Sequence, residues 1–252
     1  MPSLSTQAIV LATFRYAETS KIVRLATEGF GVQSAIAKGA LRPKSRFGAA
    51  LQVLSEGHAH LIIHSNRDLQ LLTAFDLQRV PLRLAESMER YAGAAALAEL
   101  MLRFAPADAH PESFHLLREG LGWLETAADP DIEATGLKVM WALVAGLGFA
   151  PEVESCVRDG TSIGDGKLTF SYQQGGALCP TCARSEATAT LSQGDRVDLM
   201  LLLDPSAPLP ELAPKQAAAH RRLLGRYITH HLSEGSPLPA LEFWLRRPWI
   251  AA

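Results

Sequence analysis

The sequence predicts an α+β multidomain protein, in which an N-terminal OB-fold β-barrel precedes an α-helical body with a zinc-finger-like insert. Short β-type runs fill the first part of the chain, and helical spacing of apolar residues follows Pro81. Residues 151–187 contain every cysteine, and their apolar residues follow neither the strand period nor the helix period. We expect the barrel over 1–80, the helical domain over 81–150 and 188–252, and the insert over 151–187.

Five strands and one long loop predict the barrel. Runs rich in Ile, Val and Leu place the strands at 7–11, 21–26, 32–37, a bent run over 50–56 and 61–64, and 69–77. A glycine-bearing loop at 27–31 joins the second and third strands as a hairpin. Closure into a barrel removes the sheet edges, and a sandwich would need more strands than this segment holds.

Helical spacing predicts the body. Helices are expected over 84–104, from Pro111 onward, after the cap at 129–131, and over 195–203 and 214–232. The third of these is largely apolar and is therefore expected at the centre of the domain.

Cations are concentrated near one end of the chain. Residues 1–50 carry a net charge of +5, which leaves −7 for the rest of a chain whose total is −2. Four of these cations follow the third predicted strand: Lys38, Arg42, Lys44 and Arg46. Such a cluster is typical of a surface on which a polyanion docks, and from charge alone a solvated loop is an equal alternative.

The three cysteines and one acid predict a metal site. Cys179 and Cys182 have the two-residue spacing that allows both thiolates to bind one zinc ion, and Cys156 and Asp159 repeat that spacing with an acid in the last place. We therefore expect Zn²⁺ in a structural role, with Asp159 as the fourth ligand, and a metal-free knuckle as the alternative.

Two other readings of the sequence concern location and catalysis. The N-terminus lacks the pattern of a secretory signal and the longest apolar run is too short for a bilayer, so a cytoplasmic protein without membrane contact is expected.

His110 and Glu112 match half of the zinc-deaminase signature, but Leu178 stands where that signature has proline before Cys179. We therefore do not expect an enzyme.

The chain resembles the RecO family of bacterial recombination mediators. The resemblance is strongest over residues 37–51, and it is supported by residues 9–11, 16–21, 27–31 and 175–182. It covers nearly the whole chain in the order barrel, helices, cysteine insert, helix. The family pattern often has two C-x-x-C pairs, and the chain departs from it at Asp159.

The resemblance implies an OB-fold that binds single- and double-stranded DNA, strand annealing, and a location at the nucleoid. It also implies as partners RecR, single-stranded DNA-binding protein and, indirectly, RecA. Lys38, Arg42, Lys44 and Arg46 would contact phosphates, with weaker neighbours on the barrel at Arg15, Lys21 and Arg24.

Several roles stay open at this point. Phe47 is expected to plug the barrel mouth, with stacking on a base as the alternative. The same two roles are open for Tyr16. Arg221, Arg222 and Arg226 form a second cationic strip, either a solvated face or a site for a second strand or acidic tail. The alternative function is an OB-fold plus zinc-ribbon module acting on RNA or in transcription.

Overall fold

The computed structural model describes residues 3–64, 67–106, 108–185, 189–233 and 235–250. The chain divides into two compact units, residues 1–125 and 126–252. Within the described residues the first unit holds a β-barrel and two α-helices, and the second holds four α-helices and a small sheet. Among the helices of these ranges, none combines the length and the hydropathy that a transmembrane span requires.

Five strands close the barrel of the first unit. They are β1 (Ser3–Tyr16), β2 (Ser20–Thr27), β3 (Gly31–Ala37), β4 (Glu56–Ile62) and β5 (Leu69–Arg79). The barrel closes in the order β1-β2-β3-β5-β4, with β3 and β5 parallel and the other pairs antiparallel. This closed five-stranded order confirms the predicted OB-type barrel.

Residues 50–55 depart from the sequence prediction, because they form turns instead of the start of the fourth strand. Leu54 takes a positive φ of 70° and its N–H donates to the Val10 carbonyl at 2.7 Å. The Val10 N–H donates in turn to Ser55 O at 2.9 Å, beside a register shift in β1. Residues 54 and 55 thus provide hydrogen-bond partners for the backbone N–H and carbonyl of Val10 at the register shift. A hydrophobic pattern cannot indicate such a contact.

Two helices complete the first unit. A 3-10 turn (Leu82–Glu86) leads to α1 (Met88–Phe104), and α2 covers Pro111–Thr126. The Ser87 side chain accepts a hydrogen bond from the Arg90 N–H and so caps α1. Both helices lie close to their expected positions.

Buried charges bind these helices to each other and to the barrel. Arg90 is buried, and its guanidinium donates to Leu124 O at 2.8 Å, where it satisfies a carbonyl of the last turn of α2. The buried Glu56 at the start of β4 pairs with Arg118 of α2 at 2.6 Å and with Arg79 of β5 at 3.6 Å.

The second unit combines four helices with a three-stranded sheet. The helices are α3 (Ile132–Gly146), α4 (Gln193–Leu203), α5 (Pro214–His231) and α6 (Pro239–Arg246). The sheet has the order β7-β6-β8 and consists of β6 (Leu168–Ser171), β7 (Gly176–Leu178) and β8 (Ala189–Leu191). As predicted, α3 is central: Trp141 is fully buried and its ring lies 5.2 Å from that of Tyr227.

A buried lysine links α3 to the end of α4. Lys138 is 3% exposed, and its ammonium donates to Leu201 O at 3.1 Å and to Ala207 O at 2.5 Å. A cation at the carbonyl end of α4 is favourable for the helix dipole. Burial nevertheless lowers the pKa of Lys138, although the negative charge of Asp204 opposes that shift.

Candidate nucleic-acid interface and metal centre

The basic loop, residues 38–47, leaves β3 as a series of tight turns. Gly39 has a φ of 73°, a conformation that glycine adopts without strain, and its carbonyl accepts from the Arg42 N–H at 3.1 Å. The Ser45 N–H donates to Arg42 O at 3.0 Å. The Leu41 N–H donates to Thr19 O at 2.8 Å, which fastens the basic loop to the turn between β1 and β2.

Side chains of the basic loop separate into an apolar set and a charged set. Ala40 and Phe47 are buried in the barrel core, and Phe47 is only 2% exposed, which confirms that it plugs the barrel. The cations Lys38, Arg42, Lys44 and Arg46 are all exposed. The apolar anchors therefore hold the loop against the barrel while its four positive charges face solvent.

Strand register brings two more of the predicted cations to the same end of the barrel. Arg15 of β1 lies directly opposite Lys21 of β2, and Lys21 lies opposite Ala37 of β3, the residue before Lys38. Like charges directly opposite each other in a sheet are destabilising. A bound polyanion would relieve this repulsion, so the arrangement favours an anion-binding surface.

Arg24, the seventh predicted cation, lies on the other face of this hairpin. It pairs with Ala12, and side chains alternate along a strand, so Arg24 shares its face with Phe14 and Tyr16. Phe14 is 56% exposed and Tyr16 is 47% exposed. Phe14 was not predicted as a site residue, although two aromatics at a spacing of two near a strand end could have indicated it.

The predicted metal ligands come together in the second unit. One ligand atom from each of Cys156, Asp159, Cys179 and Cys182 lies within 4.8 Å of all the others. Asp159 Oδ2 is 3.3 Å from the sulfur of Cys179 and 3.3 Å from that of Cys182. The three cysteines form no disulfide with one another.

Backbone hydrogen bonds shape this cluster. The Gly160 N–H donates to Cys156 O at 2.9 Å, and Gly160 has a φ of 72°, so the first pair of ligands sits on a tight turn. The Val157 N–H donates to Ala177 O at 2.9 Å and so joins this turn to β7, which leads to the second pair. The small sheet thus positions both halves of the cluster.

Hydrogen bonds within the cluster shift its pKa values in opposite directions. The backbone N–H of Thr161 and the thiols of Cys156 and Cys179 hold the pKa of Asp159 well below its usual range. A hydrogen bond with Cys179, burial and the carboxylate of Asp159 raise the pKa of Cys182 to about 12. A metal ion would reverse this preference at Cys182, since it binds the thiolate.

The donor set fits a divalent metal ion of tetrahedral preference. Tetrahedral zinc with Zn–S of ~2.3 Å and Zn–O of ~2.1 Å separates a sulfur from an oxygen ligand by roughly 3.6 Å. The observed 3.3 Å between Asp159 Oδ2 and each of two sulfurs is close to that value. Four ligands from two knuckles can therefore hold one ion, and no protein ligand is missing.

The three arginines of the cationic strip on α5 differ in their exposure to solvent. Arg221 forms an ion pair with Glu133 and is largely buried. Arg222 and Arg226 are exposed and line a cavity of about 810 Å³, where the Arg226 guanidinium lies 5.7 Å from the ring of Tyr172. Two of the three arginines thus remain available to an anionic ligand.

An OB-type barrel with a cationic end, on one chain with a Cys₃Asp centre, is typical of proteins that handle nucleic acids. The family described as "Recombination protein O N terminal" matches residues 1–80, and "Recombination protein O C terminal" matches residues 85–241. The chain therefore belongs to the RecO family, as the resemblance predicted, and its role lies in DNA repair and recombination.

Curated relatives agree with this assignment. The DNA repair protein RecO of Anaeromyxobacter dehalogenans (strain 2CP-C) is 33% identical over 249 residues, which cover 96% of each chain. That of Anaeromyxobacter sp. (strain K) is 32% identical over 248 residues, again with 96% of each chain covered. That of Symbiobacterium thermophilum is 32% identical over 238 residues, which cover 90% of this chain and 92% of the relative.

Proposed function

We propose that this protein is a non-enzymatic recombination mediator that binds single- and double-stranded DNA without sequence specificity and anneals complementary strands. One observation carries the proposal: cations from two strands and a loop converge at one end of the OB-type barrel, namely Arg15, Lys21, Lys38, Arg42, Lys44 and Arg46. Phosphate contacts position a nucleic acid without reading its bases, which suits a protein that must act at any sequence. Its place is then the cytoplasm, at the nucleoid.

Exposed aromatic side chains support single-stranded DNA as a ligand. Phe14 and Tyr16 offer two faces on which unpaired bases can stack, and the half-buried Arg24 lies beyond Phe14 on the same face of the hairpin. The face of strands 2 and 3 is the usual ligand surface of OB-folds, and β2 pairs directly with β1, which carries both aromatic side chains. In this proposal, residues 1–80 are the DNA-binding domain.

Annealing requires a second strand to be held, and the second unit offers a surface for it. Arg222 and Arg226 are exposed beside Tyr172, so the cavity there combines two cations with an aromatic ring. The same features suit an acidic protein tail. Family membership supports the partners expected from the sequence: RecR, single-stranded DNA-binding protein and, through them, RecA.

In the same proposal, zinc occupies the cysteine cluster in a structural role. Cys156, Asp159, Cys179 and Cys182 supply a complete set of four ligands, which leaves no open position for a substrate. The ion would cross-link two turns that have only a small apolar cluster around them. Zinc would therefore stabilise the insert at 151–187 and take no part in chemistry.

An annealing assay tests the function. Complementary DNA strands coated with single-stranded DNA-binding protein are mixed with the wild-type chain and with a Phe14→Ala/Tyr16→Ala variant. We expect annealing by the wild type and weaker annealing by the variant, because stacking contributes ~1–3 kcal/mol per base. The Tyr91→Ala variant, which removes an exposed aromatic of α1, serves as the control.

The alternative functions give other outcomes in that assay. An RNA or transcription module would fail to anneal the coated DNA strands and would bind RNA in preference to DNA of the same sequence. A metal hydrolase would turn over its substrate, and a chelator would abolish the turnover. Failure of the wild type to anneal the strands contradicts the proposed function. Equal annealing by the wild type and the Phe14→Ala/Tyr16→Ala variant contradicts the stacking surface.

A further inference from the structure

A second group of possible metal ligands lies between α4 and α5, apart from the cysteine cluster. Asp195 and Asp198 come from α4, and His220 comes from α5. One ligand atom from each of the three lies within 4.8 Å of the others. No part of the proposed DNA-binding or annealing function uses these side chains.

Local sequence explains how the two acids reach this position. Ser192 caps α4 and forms a capping box with Asp195, which fixes that carboxylate in the first turn. Asp198 is three residues further on and so lies on the same side of the helix. The Gln216 amide of α5 donates to Asp198 Oδ2 at 3.2 Å and orients this second carboxylate.

The histidine is the observation that points to a ligand. His220 is 1% exposed, and within the described part of the chain neither of its ring nitrogens has a hydrogen-bond partner. Buried polar groups are normally paired, because an unpaired one loses its hydration without compensation. Its Nε2 faces Asp198 Oδ2 at 4.0 Å, too far for a hydrogen bond.

That separation suits a metal ion between the two atoms. Metal–nitrogen and metal–oxygen bonds of ~2.0–2.2 Å place two ligands of one ion roughly 3.0 Å apart at a right angle, 3.4 Å apart at the tetrahedral angle and 4.2 Å apart when they are opposite, so one ion can bridge 4.0 Å at a wide angle. The charges also fit, since two carboxylates and a neutral imidazole balance one divalent cation. Among the described residues, no lysine or arginine forms an ion pair with Asp198.

We propose that Asp195, Asp198 and His220 bind a divalent first-row transition-metal ion, which cross-links α4 to α5. One imidazole and two carboxylates form a harder donor set than three thiolates, so the site would accept Mn²⁺ as well as Zn²⁺. The three side chains leave a fourth position for water, and Asp195 and His220 line a cavity of about 180 Å³. The three ligands take no part in the proposed DNA contacts, but Tyr172, Arg222 and Arg226 line the same cavity as Asp195 and His220, so the two sites on α5 are neighbours.

Mn²⁺ binding to the full-length chain loaded with only one equivalent of zinc, which the thiolate cluster takes first, tests the proposal, because Mn²⁺ competes poorly for thiolate ligands. Free and bound Mn²⁺ are separated by electron paramagnetic resonance during a titration. We expect one site in the wild type, and an affinity reduced at least about tenfold in Asp198→Asn and in His220→Leu. His230→Leu changes an exposed histidine on the same helix and should retain wild-type binding.

Thermal unfolding supplies a second readout, and it uses a variant of a partly exposed ligand instead of the buried histidine. Added Mn²⁺ should raise the Tm of the wild type, since a ligand of the folded state stabilises it, and should leave the Tm of Asp195→Asn unchanged. Asp195 is partly exposed, and asparagine retains an oxygen for the cap, so this variant is expected to fold. Wild-type Mn²⁺ binding in all three ligand variants, or no Mn²⁺ binding by the wild type, overturns the proposal.

Discussion

Neutralising the basic loop provides a quantitative test of the DNA interface. The variant replaces four exposed cations with glutamine: Lys38, Arg42, Lys44 and Arg46. Glutamine retains part of each aliphatic stem, and the apolar anchors of the loop, Ala40 and Phe47, are untouched. We therefore expect the barrel to fold normally and the electrostatic part of DNA binding to change alone.

The size of the effect follows from counterion release. Each phosphate contact contributes ~0.7 to the slope of log K against log salt for single strands and ~0.9 for duplexes. If all four side chains contact phosphates, the slope becomes shallower by about 2.8 for single-stranded DNA and about 3.6 for duplex DNA. Between about 50 and 200 mM salt, the wild type would thus lose roughly 50-fold more affinity for single strands than the variant.

Fluorescence anisotropy at a series of salt concentrations measures these slopes. The matched control removes the same number of exposed charges outside the basic loop: Arg83→Gln, Arg103→Gln, Lys167→Gln and Lys215→Gln. Both variants have the same net charge, so a general effect of charge would alter both slopes equally. Equal slopes in the two variants, or a wild-type slope in the loop variant, would refute the assignment of the basic loop.

Three further predictions concern the metal centre and the two cores. Cys182→Ser should lower the zinc content from about one ion per chain to well below one, as elemental analysis would measure, because a four-ligand structural site loses one ligand. Phe47→Ala should lower the free energy of unfolding by ~3–5 kcal/mol in urea titrations, since its ring is 2% exposed within the barrel core; a change near zero would contradict the plug. Burial holds the pKa of Lys138 below 10.5, so just below that pH the unfolded chain binds a proton that the folded chain lacks, and the unfolding free energy should rise with pH. Lys138→Met should abolish this rise, whereas an unchanged pH profile would assign it to another group.

The barrel was predictable because its signals are local. Alternating apolar residues and glycine-bearing turns indicate β2, β3 and β5, and a change of period marks the passage to helices after Pro81. The error at residues 50–55 has a physical origin. Leu54 and Ser55 bind the backbone of Val10, more than forty positions away, and no local pattern records that contact.

The two candidate sites differ in how far the sequence could define them. The cysteine spacing and the lack of a nearby histidine indicated the four residues of the cluster in advance, because a knuckle brings its side chains together through short-range turns. Charge alone grouped Arg24 with Lys21, whereas the strand pairing puts them on opposite faces. Phe14 went unnoticed because its exposure depends on the whole barrel.

The sequence by itself determined the class of the barrel, five of the six α-helices in the described ranges, the four residues of the cysteine cluster and the family, all of which depend on local period, spacing and residue order. Only the tertiary structure decided which cations share a surface, that Arg221 is paired with Glu133, and that His220 is buried beside two carboxylates. Those facts depend on contacts between residues far apart in the chain, and such contacts are chosen by packing and register over a whole unit.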